Sequence, residues 1–283
     1  MFRALKVGKD FSQACNSGSF GKVHSVFERA INIEISKDGR LLALLCEGGD
    51  IMSANCTISM LSGQWGNFVK VGDKVLFTPN IAYIENVAII SGISAAKQWE
   101  QLSDEAIETI SKPAYSNVLA LCDIVEKHIA KKAGTDYISP DYTLASLNPV
   151  DFIGLGAGLT PAGDDFLAGM LHGLNFIEKL YGKKSLHLLK ITNITAQNLH
   201  RTGTISRHFL RYALKGEWGQ NTEKFLVSFI KGESKELYDA VNMKLSFGAS
   251  SGADELRGCL FGIKETMKDF SSSMVNSPQN INK

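Results

Sequence analysis

The sequence predicts an α+β protein: an N-terminal β-rich barrel or sandwich followed by a mainly α-helical C-terminal half. Three observations predict it. Up to about Ile90, apolar residues alternate or come in short runs between Gly and Asp turns. From about Ser94 the apolar spacing changes to three and four residues. Strands gathered before helices, not interleaved with them, give a segregated α+β order. The division reads as a β-rich domain over 1–93, a helical domain over 94–270 and a polar, disordered tail over 271–283.

Residues 22–27 begin the strands, and 30–35 alternate cleanly. Lys37-Asp38-Gly39-Arg40 reads as a hairpin turn into the apolar run 41–46. Residues 51–61, 71–77 and 82–90 read as the remaining strands, and 17–21 as a turn-like loop. The helical half begins with a candidate over 99–110. A stronger one covers 115–132, with Val118, Leu121, Cys122, Val125 and Ile129 on one face and Lys127, Lys131 and Lys132 crowding its end. Residues 134–149 connect it to a central helix. Further helices are expected over 185–199, 206–214, 223–230 and 234–245, and a last one from Ser251 to about 270.

With 283 residues, 44% hydrophobic and 21% charged, the composition is that of a soluble globular protein. A net charge of +1 supplies no basic field for nucleic acid. The five cysteines have no CxxC or CxxH spacing, so they read as buried reduced thiols, not a zinc site. No apolar signal region opens the chain and no run spans a bilayer, so the expected location is cytoplasmic, with no membrane partner.

Residues 153–173, IGLGAGLTPAGDDFLAGMLHG, hold the first chemical signal. Gly154, Gly156 and Gly158 allow backbone shapes closed to other residues. Thr160 reads as a helix N-cap and Pro161 as the first helical residue. A glycine loop opening a helix exposes N–H groups that hold an anion. Asp164 and Asp165 in the first turns argue for a cation, with Mg²⁺ the expected cofactor, bridging to an anionic substrate.

A second copy of the motif lies downstream. Gly163 to Gly173 and Gly252 to Gly262 share G-x-D-x-L-x-G-x-L-x-G, which pairs Asp165 with Asp254, Gly169 with Gly258 and Gly173 with Gly262. In each copy the Asp and the two glycines step by four and share a helix face. The two helices are therefore expected to pack through their glycines, bringing Asp165 and Asp254 together as a metal pair. Ser250 and Ser251 join the site, although Ser251-x-x-Asp254 is also a capping box. A third stretch, His200 to His208, places Arg201, Thr204 and Arg207 at a helix entry suited to phosphate or carboxylate, or simply to a solvated loop. There is no GxSxG, P-loop lysine or Rossmann fingerprint.

GLGAGLTPAGDDFLAG, together with VHSVFERAINI, RTGTISRHFL and GASSGADELRG in the same order, resembles the AllH family. Two positions depart from the usual pattern: Ala157, where Pro is expected, and Ala249, where a polar residue is expected. The resemblance implies a subunit of oxamate carbamoyltransferase, interconverting oxalurate plus phosphate with oxamate plus carbamoyl phosphate in allantoin degradation. It further implies FdrA-like and AllG-like partner subunits. In that chemistry Asp164, Asp165 and Asp254 would be catalytic. Gly154, Gly156, Gly158, Thr160, Arg201, Thr204, Arg207, Ser250 and Ser251 would bind substrate. Two other readings stay open: a non-catalytic anion-binding scaffold subunit, and a metal-dependent hydrolase.

Overall fold

A computed structural model describes residues 1–61, 65–85, 88–134, 142–248 and 250–275. The chain divides into two compact units, Met1–Gln101 and Leu102–Lys283.

The first unit is a closed β-barrel. Its strands are β1 (Phe2–Gly8), β2 (Phe20–Val26), β3 (Ala30–Ile35), β4 (Leu41–Leu45), β5 (Asn55–Ile58), β6 (Lys74–Phe77), β7 (Ile81–Ile84), β8 (Ala88–Ser91) and β9 (Lys97–Trp99), with one helix, α1 (Lys9–Asn16). They run in the order β5-β4-β3-β2-β6-β7-β8-β1, and β1 pairs back with β5 to close a ring of eight. Closure leaves no open sheet edge around the ring. Alternation decides the interior: Ile31, Ile33 and Ile35 of β3 point inward, as do Val75 and Phe77 of β6. Phe11 of α1 packs edge-on against Phe77 at 5.5 Å. The turn after β3 forms as expected, with Asp38 accepting from the Arg40 main-chain N–H at 3.0 Å.

Several boundaries differ from the expectation. The run 82–90 is two antiparallel strands, β7 and β8, which pair Ile84 with Ala88. Only Asn55–Ile58 of 51–61 is strand. β1 and α1 were not anticipated. The reason is local: β1 has three strand partners and an irregular register between Ala4 and Lys6, so its burial does not alternate. Phe2 and Arg3 pair with β8, while Lys6–Gly8 offer the rest of that edge to β9. This pairing draws Lys97–Trp99 into a strand, where helical spacing had placed the start of a helix.

The second unit is helical: α2 (Asp104–Glu108), α3 (Tyr115–Ala133), α4 (Ala162–Tyr181), α5 (Leu186–Asn198), α6 (Thr204–Leu214), α7 (Gln220–Lys231), α8 (Lys235–Leu245) and α9 (Ser251–Val275). Ser103 caps α2, accepting from Ala106 N–H at 3.2 Å. The five apolar residues predicted for α3 are all buried, and Gly134 ends the helix at φ 80°. α4 is buried along almost its whole length and joins two apolar cores. One core holds Phe176 and Ile177 of α4 with α3, α7, α8 and α9. The other holds Phe166, Leu167 and Met170 with Phe152, Ile191 and Leu210. α9 stays helical to Val275, inside the stretch expected to be disordered, and the rest of that tail lies outside the described residues. So does Ala249.

All five cysteines are free and buried. Burial pushes the Cys15 and Cys122 thiols up to about 12. Among the described residues no helix is long and apolar enough to cross a membrane.

Candidate functional site

The centre of the helical unit is the packing of α4 on α9. A Cβ added at Gly169 would meet the Glu255 carbonyl, and one added at Gly258 would meet the Phe166 carbonyl, both far inside contact distance. One turn on, Gly173 faces the Cys259 carbonyl and Gly262 faces the Met170 carbonyl. In the motif alignment Phe166 corresponds to Glu255 and Met170 to Cys259. The contacts are therefore reciprocal, and the two copies run parallel about a local pseudo-two-fold axis. Parallel packing sets both helix N-termini at the same end, so their partial positive charges add. It also seats the two first turns side by side, as the matched motifs predicted.

Pro161, at φ −55° and ψ 143°, stands at the N-cap of α4. Thr160 was expected there. An N-cap needs extended ψ, which Pro161 already has, and the Pro161 carbonyl takes the Asp164 and Asp165 N–H groups at 2.9 and 3.1 Å. The Thr160 hydroxyl instead bonds the Ser251 hydroxyl of α9 at 2.9 Å. Ser251 is thereby turned from a capping role to a bridge between the motifs. Ser250 takes over the start of α9: its carbonyl accepts from Ala253 and Asp254 N–H, and its side chain favours the ionised Asp254.

The three carboxylates have different surroundings. Asp164 is 1% exposed and fully engaged. One oxygen accepts from Gly154 N–H at 2.9 Å, and the other accepts from the Ser206 hydroxyl at 2.6 Å and from the Thr202 hydroxyl. It pins the glycine loop to the start of α6 and is a positioning residue. The Ser251 and Thr160 hydroxyls beside Asp165 favour its ionised form, while its Oδ2 is buried without a partner. Burial pushes the Asp165 carboxyl up to about 8; the hydroxyls oppose this, and the Glu255 and Asp254 charges add to it. Asp254 is 5% exposed, and its Oδ2 also lacks a partner. Burial raises the Asp254 carboxyl too, against the Ser250 side chain and Arg257, whose Nη1 lies 3.7 Å from Oδ1.

Beneath them lies a buried polar cluster. Glu255 accepts from the Thr222 hydroxyl at 2.7 Å, meets His172 Nδ1 at 3.4 Å and is paired with Lys244. Burial alone would raise Glu255, but Lys244 and His172 outweigh it and hold the carboxyl well below the usual range.

The glycine loop is open to solvent. Gly154, Gly156 and Gly158 all take positive φ, at 77°, 114° and 95°. The N–H groups of residues 156–160 and of Ala162 have no acceptor among the described residues. Gly154 packs against the Arg201 carbonyl, which brings the His200 to His208 stretch beside the loop. Arg201 and Thr204 are exposed there. Arg207 braces that turn, donating to the Leu199 and Thr202 carbonyls at 3.0 and 2.8 Å. Among the described residues no three His, Cys, Asp or Glu side chains gather as a metal-holding group. Asp165 and Asp254 are the two carboxyls that would hold a Mg²⁺.

The family models match this geometry at its centre. Residues 152–263 match the model described as oxamate carbamoyltransferase subunit AllH, and residues 3–97 match the AllH family N-terminal domain. The chain belongs to the AllH family. No solved structure matches it. The first of these two matches begins at the glycine loop and ends one residue after Gly262, so it covers both motifs and the α6 entry between them.

Sequence reasoning passed over Thr202 and Ser206, Asp164's partners, although hydroxyls four apart across a helix entry were a usable signal. It also passed over Glu255, which stands beside Asp254 as Asp165 stands beside Asp164. Lys244, Thr222 and His172 gave no local signal, because only tertiary packing gathers them.

The Asp165 environment predicts a pH dependence. Its folded value lies above the unfolded one near 3.9, so its contribution to stability is full below about pH 4 and is lost as pH rises to about 8. Asp165→Asn removes that loss. The variant should match the wild type near pH 4 and exceed it in urea unfolding at pH 8. A constant difference across that range would show that burial does not hold the proton.

Proposed function

We propose that this chain is an oxamate carbamoyltransferase subunit that binds the anionic substrates, interconverting oxalurate plus phosphate with oxamate plus carbamoyl phosphate. The observation that carries the reading is the row of unclaimed N–H groups in the glycine loop, next to two carboxyls at the paired helix starts that each keep a buried oxygen without a partner. Family membership supplies the reaction class. The substrates are small anions, and oriented N–H dipoles gather their charge without reorganising. In the carbamoylating direction the oxamate nitrogen bonds the carbamoyl carbon, the C–O bond to phosphate breaks, and the nitrogen loses a proton. Asp165, titrating near neutrality, is the group suited to exchange that proton. FdrA-like and AllG-like subunits complete the enzyme in this reading, and the compartment is the cytoplasm. A Mg²⁺, were one held by Asp165 and Asp254, would supply charge neutralisation.

The test is phosphate and oxamate binding by the full chain, alone and assembled with its co-expressed subunits. Gly156→Ala and Gly158→Ala force a Cβ into positive φ, costing about 1–2 kcal/mol each in the loop conformation. Phosphate affinity should drop about tenfold in each, with the fold intact. Failure of both forms of the wild type to bind either anion overturns the reading. Binding without carbamoyl transfer by the assembled enzyme assigns the chain a scaffold role instead. Full activity in EDTA removes Mg²⁺ from the scheme.

A further inference from the structure

The glycine loop accounts for the charged end of a substrate and leaves two features unexplained. Asp165 Oδ2 and Asp254 Oδ2 are both buried, and neither has a hydrogen-bond partner. An unmade bond to a buried carboxylate oxygen costs about 1–3 kcal/mol or more, so the ligand supplies what the fold does not. Three facts place the two groups at one spot. Thr160 and Ser251 are bonded to each other, both hydroxyls act on Asp165, and the charge of Asp254 reaches Asp165. The reciprocal glycine packing of α4 and α9 holds both first turns there.

The chemistry narrows the ligand. Carboxylate oxygens repel an anion, so this end of the ligand is not the charged end. Arg257 already lies beside Asp254, and the described residues offer no third acidic, His or Cys ligand for a cation. What remains is a neutral group rich in N–H. Resting on the carbamoyl-transfer reading, we propose that Asp165 and Asp254 hold the H₂N–C=O end of the substrate, while the glycine loop takes its anionic end. Oxamate, oxalurate and carbamoyl phosphate all carry both ends. Two buried carboxyl oxygens without partners present two acceptors, the complement of the two N–H donors of a primary amide. Asp254 and Asp165 each accept from the NH₂ through the oxygen the fold leaves unpartnered. The two are specificity-determining residues that touch the substrate.

The test compares three ligands on the full chain, alone and assembled with its co-expressed subunits. Oxamate has both ends, pyruvate replaces its NH₂ with methyl, and N,N-dimethyloxamate keeps the nitrogen but has no N–H. Oxamate should bind at least about tenfold tighter than either, because a site built for N–H donors rejects analogues lacking them. In Asp254→Asn the amide oxygen turns to Arg257 and its NH₂ meets the substrate NH₂. The preference should then fall below about threefold, with phosphate affinity unchanged. Equal affinity of the wild type for all three ligands, with phosphate still bound, overturns the inference and leaves the carbamoyl-transfer reading standing. So does a preference retained in folded Asp254→Asn. Stoichiometric Mg²⁺ binding lost in that variant assigns the oxygens to a cation and also overturns it. Failure to bind both oxamate and phosphate takes down the carbamoyl-transfer reading and this inference with it. If the variant does not fold, the wild-type ligand series decides alone.

Discussion

Gly169→Ala is expected to destabilise the helical unit by about 3 kcal/mol or more, at the upper end of overpacking effects. The new methyl group would lie inside the Glu255 carbonyl oxygen and 3.0 Å from the Cys259 nitrogen. Both are main-chain atoms of a helix and cannot swing aside as a side-chain tip would. α4 and α9 must therefore part, and the apolar contacts flanking the glycines part with them. Gly258→Ala meets the mirror-image obstacle at the Phe166 carbonyl and, at 2.8 Å, the Met170 nitrogen, so its cost should match. Gly203→Ala is the control: it has open space around it and φ −66°, and it should cost no more than about 1 kcal/mol as a changed cap residue. Urea unfolding of the three variants measures this. Because the same packing seats the paired first turns, phosphate binding should weaken in the first two even below their transition midpoints. If Gly169→Ala costs no more than Gly203→Ala, the glycine faces are not what sets the helix spacing.

The pairing of α4 with α9 was legible because two copies of one pattern carry the information twice. A glycine every four residues states which face is buried and how closely something approaches it, and its repetition names the partner. The barrel was legible through β3, where burial on one side only forces Ile31, Ile33 and Ile35 into strict alternation. β1 was not, because a strand with partners along both edges and a register shift breaks the period on which the reading depends. β7 and β8 merged into one run because residues 85–87, between them, carry no Gly or Pro to mark a break. Within the site, the glycine loop and Asp165 carry local signals. Asp164 differs: its neighbour in sequence has unmet bonding capacity while it has none, and adjacent acids cannot be told apart until Thr202 and Ser206 arrive from α6. The cluster around Glu255 draws on α4, α7, α8 and α9, and no window of sequence holds it.

Lys244→Met should cost about 3–5 kcal/mol at pH 7, the range for removing one partner of a buried ion pair. Lys244 is 5% exposed and ties Glu255 to the Thr222 hydroxyl, which it meets at 3.1 Å. Methionine keeps most of the stem's packing, so the loss isolates the charge. The pH dependence has a definite sign. In the wild type Glu255 is held low, so its contribution is present above the unfolded value near 4.3 and is lost only as pH falls through the lower folded value. Without Lys244, burial dominates and raises the carboxyl. The variant then carries a buried charge at pH 7 and sheds the penalty by protonation as pH falls, so its deficit against the wild type should shrink toward pH 4. Adding Glu255→Gln removes the stranded charge and keeps an acceptor for Thr222, so the double variant should recover to within about 1–2 kcal/mol of the wild type. Asp165 lies within reach of the Glu255 charge, and in the single variant it should hold its proton to higher pH. A deficit equal at pH 4 and pH 7, unrelieved by Glu255→Gln, would mean that Lys244 matters for the space it fills and not for its charge.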